Sequence, residues 1–289
     1  MNPSPLPYFL GCPSWSENAW RDYLYPADAN SNQMLGFYSQ VFNAVEGNTT
    51  FYARPAPGTI ARWAQVMPEH FRFTAKFPRD VSHEGDLRDQ LEPAFDFTRL
   101  MAPLGQRVSP YWLQLPAQFG PARLGELCHF LDQIAVPVAV EVRNQAFFLP
   151  RVRKNACSTA CCTNAVWSVS ASTRARCSVA PRATLPCCMR SRRSQGATAA
   201  AAFSQHPQVR FIGHPELEAN HTFLSPWVEK VAAWIEEGRN PYIFLHTSDN
   251  RLAAALAQRF HQRLMARLPG LAPLPELPRA PEVEQLGLL

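Results

Sequence analysis

Residues able to do chemistry recur in this chain at one kind of place, within or just behind short apolar runs. Trp15 follows the run at 6–11. Glu46, Asn48, Thr50, Phe51 and Tyr52 follow the run at 41–45. Lys76 lies in the run at 71–77, with His83 further along the same connection. Gln114 lies in the run at 111–115, Glu141 in the run at 136–142, and Arg143 directly after it. Arg210 sits in the run at 208–213 with His214 behind it, and His246 closes the run at 241–246 with Asn250 just beyond. Glu46 and Glu141 are a candidate acid/base pair, and equally candidates to hold a divalent metal of unspecified identity. Lys76, Arg143 and Arg210 suit a phosphate or carboxylate. Trp15, Phe51 and Tyr52 offer faces for a sugar or a base. His83 and Lys76 are further catalytic candidates, and Asn48, Thr50, Gln114, His214, His246 and Asn250 are candidate substrate-binding residues beside the cations and aromatics. Plain structural roles stand beside these. Glu141 and Arg143 are able to tie neighbouring strands together, Glu46 to accept loop N–H groups, and Trp15 to pack at a rim. Cys12 reads as a small buried hydrophobe before a nucleophile. His214 and His246 belong to no ligand-spaced motif.

The elements that would position these groups form a repeat. The apolar runs are rich in Val, Ile, Phe and Tyr, as buried parallel strands are. Between them lie stretches with helical spacing. Thr59 is a candidate cap, Leu87, Leu91, Phe95 and Leu104 mark a second helix, and Leu124, Leu127 and Leu131 a third. Trp227, Val231, Trp234 and Ile235 form a stripe before Gly238, and Leu252, Leu256, Phe260 and Leu264 form the last. Strand starts near 6, 41, 71, 111, 136, 208 and 241 leave gaps of about 25–40 residues, the size of a βα unit, except for about 72 between 136 and 208. A missing strand and helix belong in that gap. Eight such units make a (β/α)8 TIM barrel, typically ~250 residues. The expected organisation is one barrel domain over 1–268 and a Pro-rich tail over 269–289. An open doubly wound sheet is the competing α/β fold, but GCPSWSENAW after the first run lacks the glycines of a phosphate loop.

At the sixth unit the sequence changes character. Residues 151–195 hold six of the eight cysteines, eight arginines and one lysine, and no acidic residue. The whole chain is formally +5 and this stretch +9, so the remainder sums to −4. The basic balance is therefore local, and it weakens a nucleic-acid surface as the explanation. Crowded cysteines with two adjacent pairs do not make a disulfide framework, and Cys157, Cys161 and Cys162 lack zinc-site spacing. No run of about 18 apolar residues suits a membrane span. The start reads as no signal peptide, and a reducing cytoplasm is the expected compartment.

The strand-end residues resemble the YecE-like family of uncharacterised TIM-barrel proteins. The resemblance rests on GCPSW at 11–15, FYSQVFNAVEGNTTFYARP at 37–55, FTAKFPRDVSHE at 73–84, LQLPAQF at 113–119, VEVRNQAFF at 140–148, VRFIGH at 209–214 and YIFLHTSDN at 242–250. It implies a barrel distantly similar to sugar isomerases, with Glu46, Asn48, Thr50, Phe51, Tyr52, Lys76, His83, Gln114, Glu141, Arg143 and Arg210 in or near a shared pocket. It implies no established reaction. This chain departs from the family where Pro13 or Ser14 replaces a second glycine, and where His246 and Thr247 replace asparagines. It departs most at 151–195, where the family continues with a helix and an acid-bearing strand. Two compensating frame changes would produce such composition in a GC-rich gene; a divergent insert is the alternative. If that strand is lost, its two neighbours keep open edges that invite aggregation.

The functional expectation is acid–base chemistry on a sugar, sugar phosphate or similar small polar metabolite. A nucleic-acid-processing barrel and a non-catalytic small-ligand-binding protein are the alternatives.

Overall fold

A computed structural model describes residues 6–148, 165–166, 173–174 and 205–275. Its described strands are all parallel: β1 (Phe9–Cys12), β2 (Ala44–Gly47), β3 (Arg72–Ala75), β4 (Tyr111–Gln114), β5 (Val138–Glu141), β6 (Ala165–Val166), β7 (Thr173–Arg174), β8 (Gln208–Ile212) and β9 (Tyr242–His246). They run in the order β3-β2-β1-β9-β8-β7 and, separately, β4-β5-β6. Parallel bridges from Phe73 to Val108 and from Lys76 to Trp112 link β3 to β4. No ladder joins β6 to β7 among the described residues. The molecule is thus an α/β fold with a many-stranded parallel sheet flanked by helices.

Between the strands come α1 (Ser31–Val41), α2 (Thr49–Tyr52), α3 (Pro57–Val66), α4 (Arg79–His83), α5 (Leu91–Met101), α6 (Leu124–Gln133) and α7 (His221–Glu236), and α8 (Ala253–Arg267) follows β9. Helix α1 takes Val41, so the second strand starts at Ala44 rather than at 41. Asn30 and Gln33 open that helix with a reciprocal capping box. Helix α3 begins at Pro57, in the first-turn position a proline suits, so Thr59 lies inside it and is not its cap.

Strand pleating sorts the side chains. Alternate residues face opposite sides, and Leu10, Val45, Phe73, Leu113, Val140, Phe211, Ile243 and Leu245 face the main core with the helices. Their neighbours form a small second cluster on the other face: Ala44, Trp112, Tyr242 and Phe244, with Phe9 against it. Gly11 also faces this side. A Cβ there would stand 2.0 Å from the Ala44 carbonyl oxygen, so only glycine lets β1 and β2 approach so closely. Tyr38 of α1 locks the same two strands, donating to the Ala44 carbonyl at 2.8 Å while accepting from the Cys12 N–H at 2.7 Å.

The gap at 151–195 is only partly described. β6 pairs with β5 over two residues and β7 with β8 over two. The reading-frame question and the fate of the clustered cysteines lie outside the described residues. Residues 269–275 of the expected tail carry no helix or strand, and residues 276–289 lie outside the described residues. Ala272 accepts from His261 Nε2 at 3.0 Å, while the other ring nitrogen of His261 accepts from the Tyr8 hydroxyl at 2.8 Å.

Candidate functional site

The inner face of the sheet turns polar at its carboxyl end. Two residues beyond Ala44, the pleat puts Glu46 on the same face. Lys76 follows Thr74 in the same way, Gln114 follows Trp112, Glu141 follows Ala139, and His246 follows Phe244. Arg210 joins them from β8.

Glu46 is fully buried and gathers three basic groups. Arg210 Nε donates to its Oε2 at 2.8 Å, and His246 Nε2 donates to the same oxygen at 2.9 Å. Lys76 Nζ stands 2.9 Å from Oε1, an ion contact without aligned hydrogen-bond geometry. Burial alone would raise the Glu46 pKa. Lys76, then Arg210, then His246 outweigh it and hold the carboxyl well below the usual range. Burial works against the Arg210 charge, yet Glu46 and Glu141 hold its pKa above the ordinary value. Burial pushes His246 down despite Glu46, so at neutral pH it is an uncharged N–H donor.

The network runs on across the sheet. Lys76 Nζ donates to Gln114 Oε1 at 3.3 Å, and Arg143 Nη2 donates to that oxygen at 2.8 Å. Arg143 Nε donates to Glu141 Oε1 at 3.0 Å, whereas Glu141 Oε2 has no hydrogen-bond partner among the described residues. Trp112 floors the group, with Lys76 Nζ 4.9 Å and the Arg210 guanidinium carbon 5.9 Å from its ring centre.

Over this network opens a cavity of about 290 Å³, lined by Asn48, Phe51, Tyr52, Lys76, Arg79, His83, Gln114, Arg143 and Arg210. Four cations contribute to that lining. Glu46 and Glu141 do not; they lie outside it, bonded to cations that do. Burial, then Arg143 and Arg79, push the His83 pKa below its ordinary value, so the ring facing the cavity is neutral at neutral pH. Its Nδ1 lies 2.8 Å from the Ser82 hydroxyl.

Other expected ligand-binding residues sit elsewhere. Trp15 packs edge-on against Trp63 and Phe73 at 5.2 and 5.8 Å, and its carbonyl accepts from Tyr25. Thr50 is buried, with its hydroxyl 2.9 Å from the Gly47 carbonyl and 2.7 Å from that of Lys76, so it ties the β2 loop to β3. His214 Nδ1 accepts from the Glu216 N–H at 3.0 Å, and its backbone is clasped by Asn220. Asn250 is in the left-handed region at φ 61° and offers its carbonyl to Trp20. His246 reaches the site only through Glu46. Cys12 is buried, and burial pushes its thiol up, away from the nucleophilic thiolate. Arg79 was not singled out in the sequence; its nearness to Lys76 in the FTAKFPRD run was the available signal.

The donor set does not suit a divalent metal at Glu46. A cation there would share the carboxylate with protonated Lys76 and Arg210, and among the described residues no three His, Cys, Asp or Glu side chains gather as a metal group. Glu46 is also committed to its basic partners, which hold its carboxyl below the usual range, whereas a general base works best with a pKa near the operating pH.

Residues 9–282 match the family described as Protein of unknown function DUF72. The chain belongs to this family. It is 32% identical over 273 residues to UPF0759 protein YecE of Escherichia coli (strain K12), covering 94% of this chain and 97% of that protein. UPF0759 protein YunF of Bacillus subtilis (strain 168) is 28% identical over 153 residues, 49% of this chain and 52% of its own length. Among solved structures, a DUF72 family protein from Thermotoga maritima superposes with a TM-score of 0.65 at 21% identity, covering 89% of this chain and 98% of that one. A DUF72 family protein from Enterococcus faecalis gives 0.64 at 20%, covering 89% and 95%. At those identities the structural likeness speaks for fold alone. No helix among the described residues of this DUF72 chain is long and apolar enough to cross a membrane.

Proposed function

We propose that this DUF72 chain binds a small anionic polar metabolite, a sugar phosphate or close chemical relative, and moves a proton on it. The supporting observation is the cavity lined by Lys76, Arg79, Arg143 and Arg210 with neither network carboxylate in its lining. Such a lining favours a negatively charged oxygen-rich ligand over a neutral one. Gln114 and Asn48 add neutral polar contacts. His83 is the base, being uncharged and on the cavity wall. Glu46 positions the cations instead of exchanging protons, and Glu141 does the same for Arg143.

We also infer that the parallel sheet closes as a (β/α)8 barrel. With β3 bridged to β4, β6 paired with β5 and β7 paired with β8, an eight-fold ring needs the short β6 and β7 to share the sixth strand position. A cytoplasmic setting rests on the thiol-rich sequence without disulfide spacing.

The test is incubation of the full chain with a panel of aldose and ketose phosphates in deuterated water. Proton NMR reads loss of carbon-bound hydrogen. Exchange that disappears in His83→Gln supports the reading. Binding without exchange leaves a ligand-binding protein, and absence of binding to every phosphorylated or carboxylated compound overturns it.

A further inference from the structure

Building on the anion-site reading, we infer that the ligand is a dianionic phosphate monoester carrying a single planar ring system, such as one nucleobase, with its phosphate on the guanidinium groups and its ring system on Tyr52.

Charge counting carries the first half. Lys76, Arg79, Arg143 and Arg210 bring four positive charges to the lining, and the two carboxylates bonded to them bring two negative ones. Asp80, the neighbour of Arg79, is paired with Arg54 at 2.7 Å, and those two charges cancel. His83 and His246 are uncharged at neutral pH. An excess of two positive charges remains. A carboxylate neutralises half of it, whereas a phosphate monoester, with a second pKa near ~6, carries close to two negative charges.

Unspent donors point the same way. Arg210 uses Nε on Glu46, and Arg143 uses Nε on Glu141 and Nη2 on Gln114. Both Nη groups of Arg210, Nη1 of Arg143 and the whole Arg79 guanidinium make no hydrogen bond among the described residues. Several guanidinium N–H groups on one small cavity call for an acceptor with several oxygens, as the phosphate has.

The second half rests on Tyr52. It lines the cavity yet is 82% exposed, an unusual state for a large ring. Phe51 stands roughly perpendicular to it at 5.1 Å and to His83 at 5.1 Å, so Phe51 is held between two rings while Tyr52 keeps most of its surface exposed. An exposed aromatic ring beside a cationic floor matches a ring joined to a phosphate. At about 290 Å³ the cavity lies at the small end of ligand pockets, ~300–1,000 Å³, which favours one ring over a dinucleotide.

The test is isothermal titration of the full chain with a purine nucleoside 5′-monophosphate, ribose 5-phosphate, the unphosphorylated nucleoside, a 3′,5′-cyclic monophosphate and inorganic phosphate. We expect the monophosphate to bind roughly tenfold more tightly than ribose 5-phosphate, the order of one stacked ring. The singly charged cyclic ester and the nucleoside should bind more weakly still. Tyr52→Ala should erase the advantage over ribose 5-phosphate and leave ribose 5-phosphate itself unchanged, while Arg143→Ala should weaken both. If ribose 5-phosphate matches the nucleotide, or the advantage survives Tyr52→Ala, the ring assignment falls and the anion site stands. If the cyclic ester binds as well as the monoester, the dianion assignment falls. If no phosphorylated compound and no inorganic phosphate binds, the anion-site reading falls with it.

Discussion

Glu46 and Glu141 occupy matching places, the inward tips of β2 and β5, yet their surroundings differ. Glu46 is fully buried against Lys76 and Arg210, whose side chains are only 4% and 15% exposed, with His246 also against it. Glu141 is nearly as buried, but its partner Arg143 is 46% exposed and its second oxygen is unmatched among the described residues. Equivalent positions on a repeated fold therefore do not confer equivalent roles. The number and burial of the cations around a carboxylate decide whether it is a fixed counter-ion or an adjustable one. At β2 the protein has made a closed electrostatic unit; at β5 it has left one buried carboxylate oxygen without a hydrogen-bond partner among the described residues.

The largest expected effect is on stability. Glu46→Gln strands two buried cations and should cost about 3–5 kcal/mol, the cost of breaking a buried pair, read by urea denaturation. Glu141→Gln leaves Arg143 access to water and should cost no more than about 1 kcal/mol. Similar losses from both would erase the contrast between the two tips.

The next effect is on binding. Removing a charge-assisted contact costs about 1.5–3 kcal/mol, so Arg143→Ala should weaken a phosphorylated ligand by roughly 10- to 100-fold, with a separate loss of about 1–3 kcal/mol in stability because the buried Glu141 is left without its partner. Unchanged ligand affinity would remove Arg143 from the site.

A third effect is on pH. His246 and Glu46 both have folded-state pKa values below their unfolded ones, so the unfolded chain binds protons first as pH falls. The stability each contributes is complete above the unfolded pKa and is lost below it. For His246 the loss starts beneath 6.5, the value it departs from. For Glu46 it starts beneath 4.5. His83 and His261 add to the first limb with the same sign. Stability of the wild type should fall between pH 7 and 5, and His246→Gln should flatten part of that fall. An unaltered pH profile in the variant would place His246 outside the coupling.

The smallest effect should come from Thr50→Val. Losing one hydroxyl that joins the β2 loop to β3 should cost about 1 kcal/mol without changing ligand affinity.

Much of this was legible in the sequence because a parallel strand buried on both faces must be an apolar run, and the polar residue closing it must sit at the tip. That logic places Glu46, Lys76, Gln114, Glu141, Arg210 and His246 at or near the strand tips from the sequence alone. It failed where packing decides direction. Trp15 follows β1 just as Asn48 follows β2, yet it turns onto Trp63 and Phe73 outside the cavity. Helix α1 was missed, although Asn30 and Gln33 carry a capping box, because its apolar end merges with the following strand. Arg79 was missed because cations on short connections look like solvated surface until a wall stands opposite. The protonation states were beyond sequence reading, since they depend on three residues 30 to 200 positions from Glu46.

Glu46 is ionised at neutral pH and anchors a cationic pocket. Carbon-13 NMR of glutamate carboxyls, assigned by the missing signal in Glu46→Gln, tests this directly. The account predicts that the Glu46 resonance stays in its ionised position from pH 8 down to the ordinary carboxylate value of 4.5. A titration midpoint at or above about 6, as in carboxyls tuned for proton transfer, would contradict it.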